Sequence, residues 1–147
     1  MEKGKIAEAA VRLRIATRKA CITQSEGRRK GTLSLDAKIL FLIREKPLTP
    51  NTIIDLLELQ KSNLASIANG LEKRGFMERH KLFSRRETAY HITDAGREYI
   101  ETKLEEIEKS FASFIDDEKE YESAVETLES ATRLLSFVEN RTQKGNI

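Results

Sequence analysis

Residues 59–93 constrain the fold more than any other part of the chain, because they predict one helix followed by two strands. Four apolar side chains recur at the i, i+3, i+4 and i+7 spacing of one helix face, so that face should be buried. They are Leu64, Ile67, Ala68 and Leu71. Gly75 can take the left-handed conformation that ends a helix. Residues 76–81 and 88–92 then alternate loosely, as the strands of a hairpin do.

The other face of this helix carries short hydrogen-bonding side chains edged by lysines. These are Lys61, Ser62, Asn63, Ser66, Asn69 and Lys73. Phosphates attract cations, and base edges pair with small donors and acceptors, so the face is suited to DNA. Residues 82–87, between the strands, include the adjacent Arg85 and Arg86.

Three sequence motifs resemble the MarR family of bacterial transcription regulators: LEKRGFMER at 71–79, SRRETAYHIT at 84–93 and TDAGREYI at 93–100. In that family they are the end of the recognition helix, the wing and the start of the next helix. LSLDAKILFLI at 33–43 resembles the preceding core helix. The resemblance covers about residues 33–115 by pattern and the whole chain by layout.

The remaining segments predict a mostly helical chain. We expect a first helix over residues 5–22, a loop over 24–32, and a core helix that begins after Ser34. Thr49 should cap a short helix that starts at Pro50 and buries Leu56 and its apolar neighbours. With the turn at 58–60, this helix and the next make a helix-turn-helix. A long helix capped by Thr93 should break near residues 116–117, and a last helix should span about 118–140.

The predicted fold class is mostly α with a small β-hairpin (α+β): a winged helix-turn-helix core with N- and C-terminal dimerisation helices. We expect an N-terminal dimerisation helix and loop over 1–32, a DNA-binding domain over 33–93 and C-terminal dimerisation helices over 94–147. Apolar residues from Ile100 onward repeat at heptad spacing, which is typical of helix pairing. The predicted homodimer contacts, which the resemblance favours over an intramolecular hairpin, are Leu13, Ile107, Phe111, Tyr121, Val125, Leu128 and Leu135.

Charge is distributed unevenly along the 147 residues, although the net charge is only +2. Residues 60–93 carry a net +4 and residues 94–139 a net −9. Polyanion binding therefore belongs to the middle of the chain. There is no apolar run of 18 residues, no secretory signal and only one cysteine, Cys21, so we expect a cytoplasmic protein with no membrane association and no disulfide framework.

Motifs of catalysis and cofactor binding are absent from the sequence. His80 and His91 are eleven residues apart and have no metal-site spacing, and His91 should be packed or half-exposed. No phosphate-cradling or nucleophile motif occurs, so we expect no enzyme activity, no cofactor and no metal. Cys21 is more readily an inert helix residue than a redox sensor.

The resemblance implies a dimer that places two recognition helices in successive major grooves of a pseudo-palindromic site. We expect base contacts from Ser62, Asn63, Ser66 and Asn69, and phosphate contacts from Lys61, Lys73 and Arg79. The position that matches the family's minor-groove arginine is Arg86, with Arg85 beside it. The resemblance also implies a repressor released by a small effector, in a pocket that could include Leu13, Thr17, Phe41 and Phe111.

Three positions depart from the family pattern. Ser84 replaces the usual acid of the wing, and Ser66 and Gly70 stand where the family often has arginine. An alternative interpretation is therefore a winged-helix protein–protein interaction module with weak or lost DNA binding.

Overall fold

The structure is a computed structural model that describes residues 4–20, 23–25, 28–30, 33–83 and 86–145. The chain divides into two compact units, Met1–Glu108 and Lys109–Ile147. In chain order the first unit contains α1 (Lys5–Ala20), β1 (Thr23–Ser25), β2 (Arg28–Lys30), α2 (Leu35–Ile43), α3 (Pro50–Leu57), α4 (Lys61–Lys73), β3 (Met77–Lys81) and β4 (Thr88–Ile92). Then follow α5 (Asp94–Ala112) and α6 (Glu118–Gly145). The predicted fold class, mostly helical with a β-wing, is confirmed.

The core of the first unit is built from one face of each of several elements. Its fully buried large side chains are Ile39, Leu40, Ile43, Ile53, Leu64, Leu71, Met77 and Ile100. The predicted buried face of α4 is confirmed at Leu64, Ala68 and Leu71, whereas Ile67 is half-buried. Each such side chain contributes about 1.5–3 kcal/mol relative to exposure, so packing on this core holds α4 in place.

Local signals set the ends of the short helices. The Thr49 hydroxyl accepts a hydrogen bond from the Thr52 N–H at 3.3 Å, which caps α3 as predicted. Glu58, at φ 53°, adopts the left-handed conformation that ends α3 and turns the chain into α4. Gly75, at φ 75°, ends the turn after α4, also as predicted. Ser34 precedes α2, but its hydroxyl donates to the Asp36 carboxylate instead of capping the backbone.

The wing is fastened at its base to the rest of the unit. β3 and β4 are antiparallel, with Met77 opposite Ile92 and Lys81 opposite Thr88. Leu48 adds a short third pairing, since the Tyr90 N–H donates to its carbonyl at 2.8 Å. At the start of α5 the Thr93 hydroxyl donates to the Gly75 carbonyl at 2.6 Å and accepts from the Gly96 N–H at 3.1 Å. These bonds fix where the wing leaves the core.

Four expectations about local structure are wrong. Part of the predicted loop at 24–32 pairs as the antiparallel strands β1 and β2, with Thr23 opposite Lys30 and Ser25 opposite Arg28. Leu56 is 56% exposed, because α3 buries only the side facing the core. Ile100 is fully buried in the core of the first unit, so the predicted heptad seam does not begin there. The last helix also continues past residue 140, to Gly145.

The second unit carries several partly exposed large apolar side chains. Along α6, the large apolar residues from Tyr121 to Phe137 are between 38% and 59% exposed. Among the described residues, no helix is both long enough and apolar enough to cross a bilayer.

Candidate nucleic-acid interface

Helix α4 has a buried apolar side and an exposed polar side, as the sequence predicts. Ser62, Ser66, Asn69 and Lys73 follow one another at steps of four, three and four residues, which places them along one side of the helix. Each of the four is two residues away from a buried core residue, which corresponds to a rotation of about 200° around the helix axis. All four are exposed, as are Lys61 and Asn63 beside them. The structure therefore presents the whole predicted set on the surface of α4.

Arg79 and Asn69 form a direct bridge between the wing and α4. The alternation of β3 places Arg79 on the same side as the buried Met77, toward α4. There Arg79 Nη2 donates to Asn69 Oδ1 at 2.7 Å, and its Nε lies 3.4 Å from Glu72 Oε2. The bridge holds two predicted contact residues together, so the helix and the first wing strand present a single surface.

The Arg79 guanidinium also lies 5.6 Å from the centre of the buried Tyr90 ring. Burial raises the pKa of the Tyr90 hydroxyl; Glu72 adds to this and Arg79 opposes it. Tyr90 therefore stays neutral at physiological pH. Its buried ring packs next to the Arg79 guanidinium.

The bridge fixes the orientation of the Asn69 amide. A guanidinium can only donate hydrogen bonds, so the atom that faces it must be the amide oxygen. The two N–H donors of the same amide are then directed away from Arg79. Asn69 can offer these donors to an acceptor on a base edge or a phosphate without disturbing the bridge.

The wing tip is a short closed loop. The Leu82 N–H donates to the Glu87 carbonyl at 2.9 Å, which joins the two ends of the tip just beyond the strands. Arg86 is exposed on this loop, at the position where the resemblance to the MarR family implies a minor-groove contact. Ser84 and Arg85, which were also singled out in the sequence, lie outside the described residues, as does Cys21. Sequence reasoning missed Phe83, whose side chain is fully exposed beside them, at 109% of its reference area.

A cationic and aromatic cluster braces the C-terminal end of α4. Arg74 Nη1 donates to Asp36 Oδ2 at 3.0 Å, and its guanidinium lies 4.7 Å from the Phe76 ring centre and 5.0 Å from that of Tyr99. Burial alone would raise the pKa of Asp36. Hydrogen bonds from the Ser34 hydroxyl and the Ala37 N–H, together with Arg74, outweigh it and hold that pKa below its ordinary value. Asp36 is therefore ionised at neutral pH and ties α2 to the end of α4.

The two histidines of the wing are brought together by strand register. His91 lies opposite Glu78, two residue pairs along from His80, and the imidazole centres are 4.2 Å apart. His80 Nε2 lies 2.9 Å from Glu78 Oε2. The expectation that His91 is packed or half-exposed is confirmed. In the described part of the chain, no three His, Cys, Asp or Glu side chains are grouped so as to hold a metal ion.

The effector-pocket and dimerisation residues predicted from the sequence belong to assemblies that the single chain does not contain. Leu13, Thr17 and Phe41 in the first unit are exposed, and so is Phe111 in the second. Of the expected dimer contacts, Ile107 is half-buried and the others are exposed. Both assignments stay predictions.

Comparison with known proteins identifies the domain. Residues 37–111, just over half of the chain, match the family described as winged helix DNA-binding domain. No curated protein sequence matches the chain.

Solved structures extend the similarity to almost the whole chain. The transcriptional regulator BldR from Sulfolobus solfataricus has 21% identity and a TM-score of 0.62, over 92% of this chain and 99% of its own. A MarR-family regulator from Rhodococcus sp. RHA1 has 14% identity and a TM-score of 0.61, over 88% and 96%. The regulator Tm0710 from Thermotoga maritima has 22% identity and a TM-score of 0.56, over 93% and 98%. The resemblance to MarR-type regulators is thus confirmed at the level of fold.

Proposed function

The chain belongs to the winged helix DNA-binding domain family and has the fold of MarR-type regulators, and from that premise we propose that it is a dimeric, sequence-specific DNA-binding transcriptional regulator. The observation that carries the proposal is the single exposed surface formed by α4 and the wing. On it, Asn69 and Arg79 are joined at 2.7 Å, with Ser62, Ser66 and Lys73 along the same side of the helix.

In this proposal α4 lies in the major groove. Ser62, Asn63, Ser66 and Asn69 have the small donors and acceptors that read base edges. Lys61, Lys73 and Arg79 supply cations for the flanking phosphates, which position the helix without reading sequence. Arg86, at the closed wing tip, reaches the adjacent minor groove, where a narrow A·T-rich segment has its most negative potential.

The dimer is supported by the exposed apolar side of α6. Leu128 and Leu135 are 59% and 56% exposed, and they lie seven residues apart, the spacing of one helix face. In this proposal, a second copy of the chain packs against these residues and forms a heptad seam with them. A two-fold dimer would then bind a pseudo-palindromic site whose halves lie about one helical turn apart.

Repression relieved by a small effector is the regulatory mode we propose. Bound at a promoter, such a dimer would exclude the transcription machinery. An effector could release it only by binding one conformation of the dimer more tightly than the other. The proposed regulator has no catalytic step, and its partners are double-stranded DNA, a second copy of itself and the effector.

The competing proposal is a winged-helix module for protein partners. It is favoured by Ser66 and Gly70, which give the exposed side of α4 fewer strong base contacts than arginines would. The substitution Arg86→Ala separates the two proposals, because it removes a cation that only the DNA interface needs.

Arg133→Ala is the matched control. It removes the same charge from an exposed position on α6, where Arg133 lies 3.9 Å from Glu129. In a DNA-binding titration, the regulator proposal expects weaker binding by Arg86→Ala and unchanged binding by Arg133→Ala. Equal DNA binding by both variants and the parent chain would contradict it.

A further inference from the structure

Phe83 is an apolar side chain at the tip of a cationic hairpin. Its exposure, 109%, exceeds that of every other large apolar side chain in the described part of the chain. The tip is closed by the bond from the Leu82 N–H to the Glu87 carbonyl, so the ring is held away from the core. A phenylalanine this exposed gives up the large gain that burial would bring, which points to a surface outside this chain.

The charges around Phe83 indicate the kind of surface. Lys81 ends β3 on one side of it, and Arg86 lies on the other side; both are exposed. Cations that flank an aromatic ring favour a polyanion with apolar faces inside it, which is what stacked base pairs between phosphates provide. An uncharged apolar protein partner would leave these cations without counter-charges.

We propose that Phe83 is an apolar wedge that enters the DNA minor groove beside Arg86 and partly unstacks a base step. The inference rests on the proposed function, since it requires the wing to meet DNA. Minor-groove proteins use phenylalanine, leucine and similar side chains in this way, and the inserted wedge kinks the duplex. Pyrimidine–purine steps unstack most easily, so the wedge selects a flexible step such as TA.

The length of the tip limits where the wedge can act. Arg86 follows Phe83 by three positions, so their Cα atoms are at most about 10 Å apart even in a fully extended chain. Successive base pairs are about 3.4 Å apart, so the two Cα atoms are separated by no more than about three base pairs along the duplex. The two side chains thus contact one short DNA segment. Arg86 responds to the width of its minor groove, and Phe83 responds to how easily its base step unstacks.

The test uses the full-length chain and an A·T-rich duplex with TA steps in every half turn, in which 2-aminopurine replaces adenine at those steps. Its fluorescence rises when the base is unstacked. We expect the parent chain to raise the fluorescence, and Phe83→Ala to lose that rise and bind about tenfold more weakly. Phe83→Leu keeps an apolar wedge and should retain most of both effects.

Leu82→Ala is the control at the neighbouring position. It removes apolar surface from the same tip but keeps the backbone hydrogen bond to Glu87, so binding and fluorescence should stay near those of the parent chain. If Phe83→Ala binds DNA and raises the fluorescence as the parent chain does, the wedge proposal is wrong but the proposed function stands. The same conclusion follows if Leu82→Ala and Phe83→Ala lose binding and fluorescence equally. If the parent chain binds no duplex at low salt, both the wedge and the proposed function fail.

Discussion

Arg79 Nη2 lies 2.7 Å from Asn69 Oδ1, and this bond joins the first strand of the wing to the exposed side of α4. The two residues are ten positions apart, and both are candidates for DNA contact. Their pairing leaves the amide donors of Asn69 available while Arg79 remains close to Glu72. In the proposed interface, the Asn69 amide contacts a base edge and the Arg79 guanidinium contacts a phosphate.

Asn69→Ala should reduce sequence discrimination more than overall DNA affinity. A base-edge contact contributes about 1–3 kcal/mol of discrimination, so the ratio of affinities for a selected and a scrambled duplex should fall about tenfold. Lys73→Ala, which removes a phosphate contact, should weaken binding to both duplexes alike and reduce the salt slope by about one. Fluorescence anisotropy with the two duplexes measures both effects. An equal loss on the two duplexes for Asn69→Ala would assign Asn69 to positioning instead.

Gly96→Ala should destabilise the first unit. Gly96 is buried, and a Cβ there would overlap the Phe76 carbonyl oxygen and lie 2.9 Å from Ile92 Cγ1. Overpacking against backbone costs about 3 kcal/mol in the free energy of unfolding. Gly70 in α4 has no atom within 4 Å of the corresponding position, so Gly70→Ala should stabilise the chain by about 1 kcal/mol. Urea unfolding at one protein concentration compares the two. A neutral Gly96→Ala variant would show that the junction of wing and α5 is loosely packed.

Asp36→Asn should change how stability depends on acid. The pKa of Asp36 is lower in the folded chain than in the unfolded one. Its stabilising effect is therefore fully present above the unfolded value, about pH 4, and is lost as the pH falls through the folded value. The stability gap between the parent chain and Asp36→Asn should be widest above pH 4 and should narrow below it. Asp55→Asn, at an exposed position on α3, controls for loss of charge. If the difference in the free energy of unfolding between the two chains does not change with pH, the ionised Asp36 does not stabilise the fold through Arg74.

Leu128→Glu should convert the proposed dimer into monomers. Leu128 is 59% exposed on α6, and a carboxylate buried there against a second copy would lack a partner. Glu126→Ala, on the exposed polar side of the same helix, should leave the mass unchanged. Light scattering reports the mass of each variant. If Leu128→Glu keeps the mass of the parent chain, the dimer does not use this side of α6.

The helical elements could be predicted because their signals are local. The apolar spacing in α4, the cap at Thr49 and the glycine at 75 each act within a few residues of the chain. The wing strands followed from alternation and from the basic loop between them. The exposed polar side of α4 was predicted for the same reason, since a buried side of known period defines the exposed side opposite it.

Contacts between distant residues could not be predicted in the same way. The pairing of Leu48 with Tyr90, the stacking of His80 on His91 and the bridge from Arg79 to Asn69 all depend on strand register or on the packing of a strand against a helix. Leu56 looked like a core residue by type alone, and only the direction of α3 shows that it is exposed. Burial of Ile100 in the first unit likewise depends on how far α5 packs on the core.

The central claim is that α4 and the wing bind DNA in a sequence-specific manner. The most direct test measures binding of the full-length chain to a pool of short duplexes across a salt series. The pool should include the DNA upstream of the protein's own coding sequence. The account predicts enrichment of a pseudo-palindrome, with affinity that falls steeply as salt rises because phosphates are neutralised by lysine and arginine. Weak binding without sequence preference, or no binding at low salt, would contradict it.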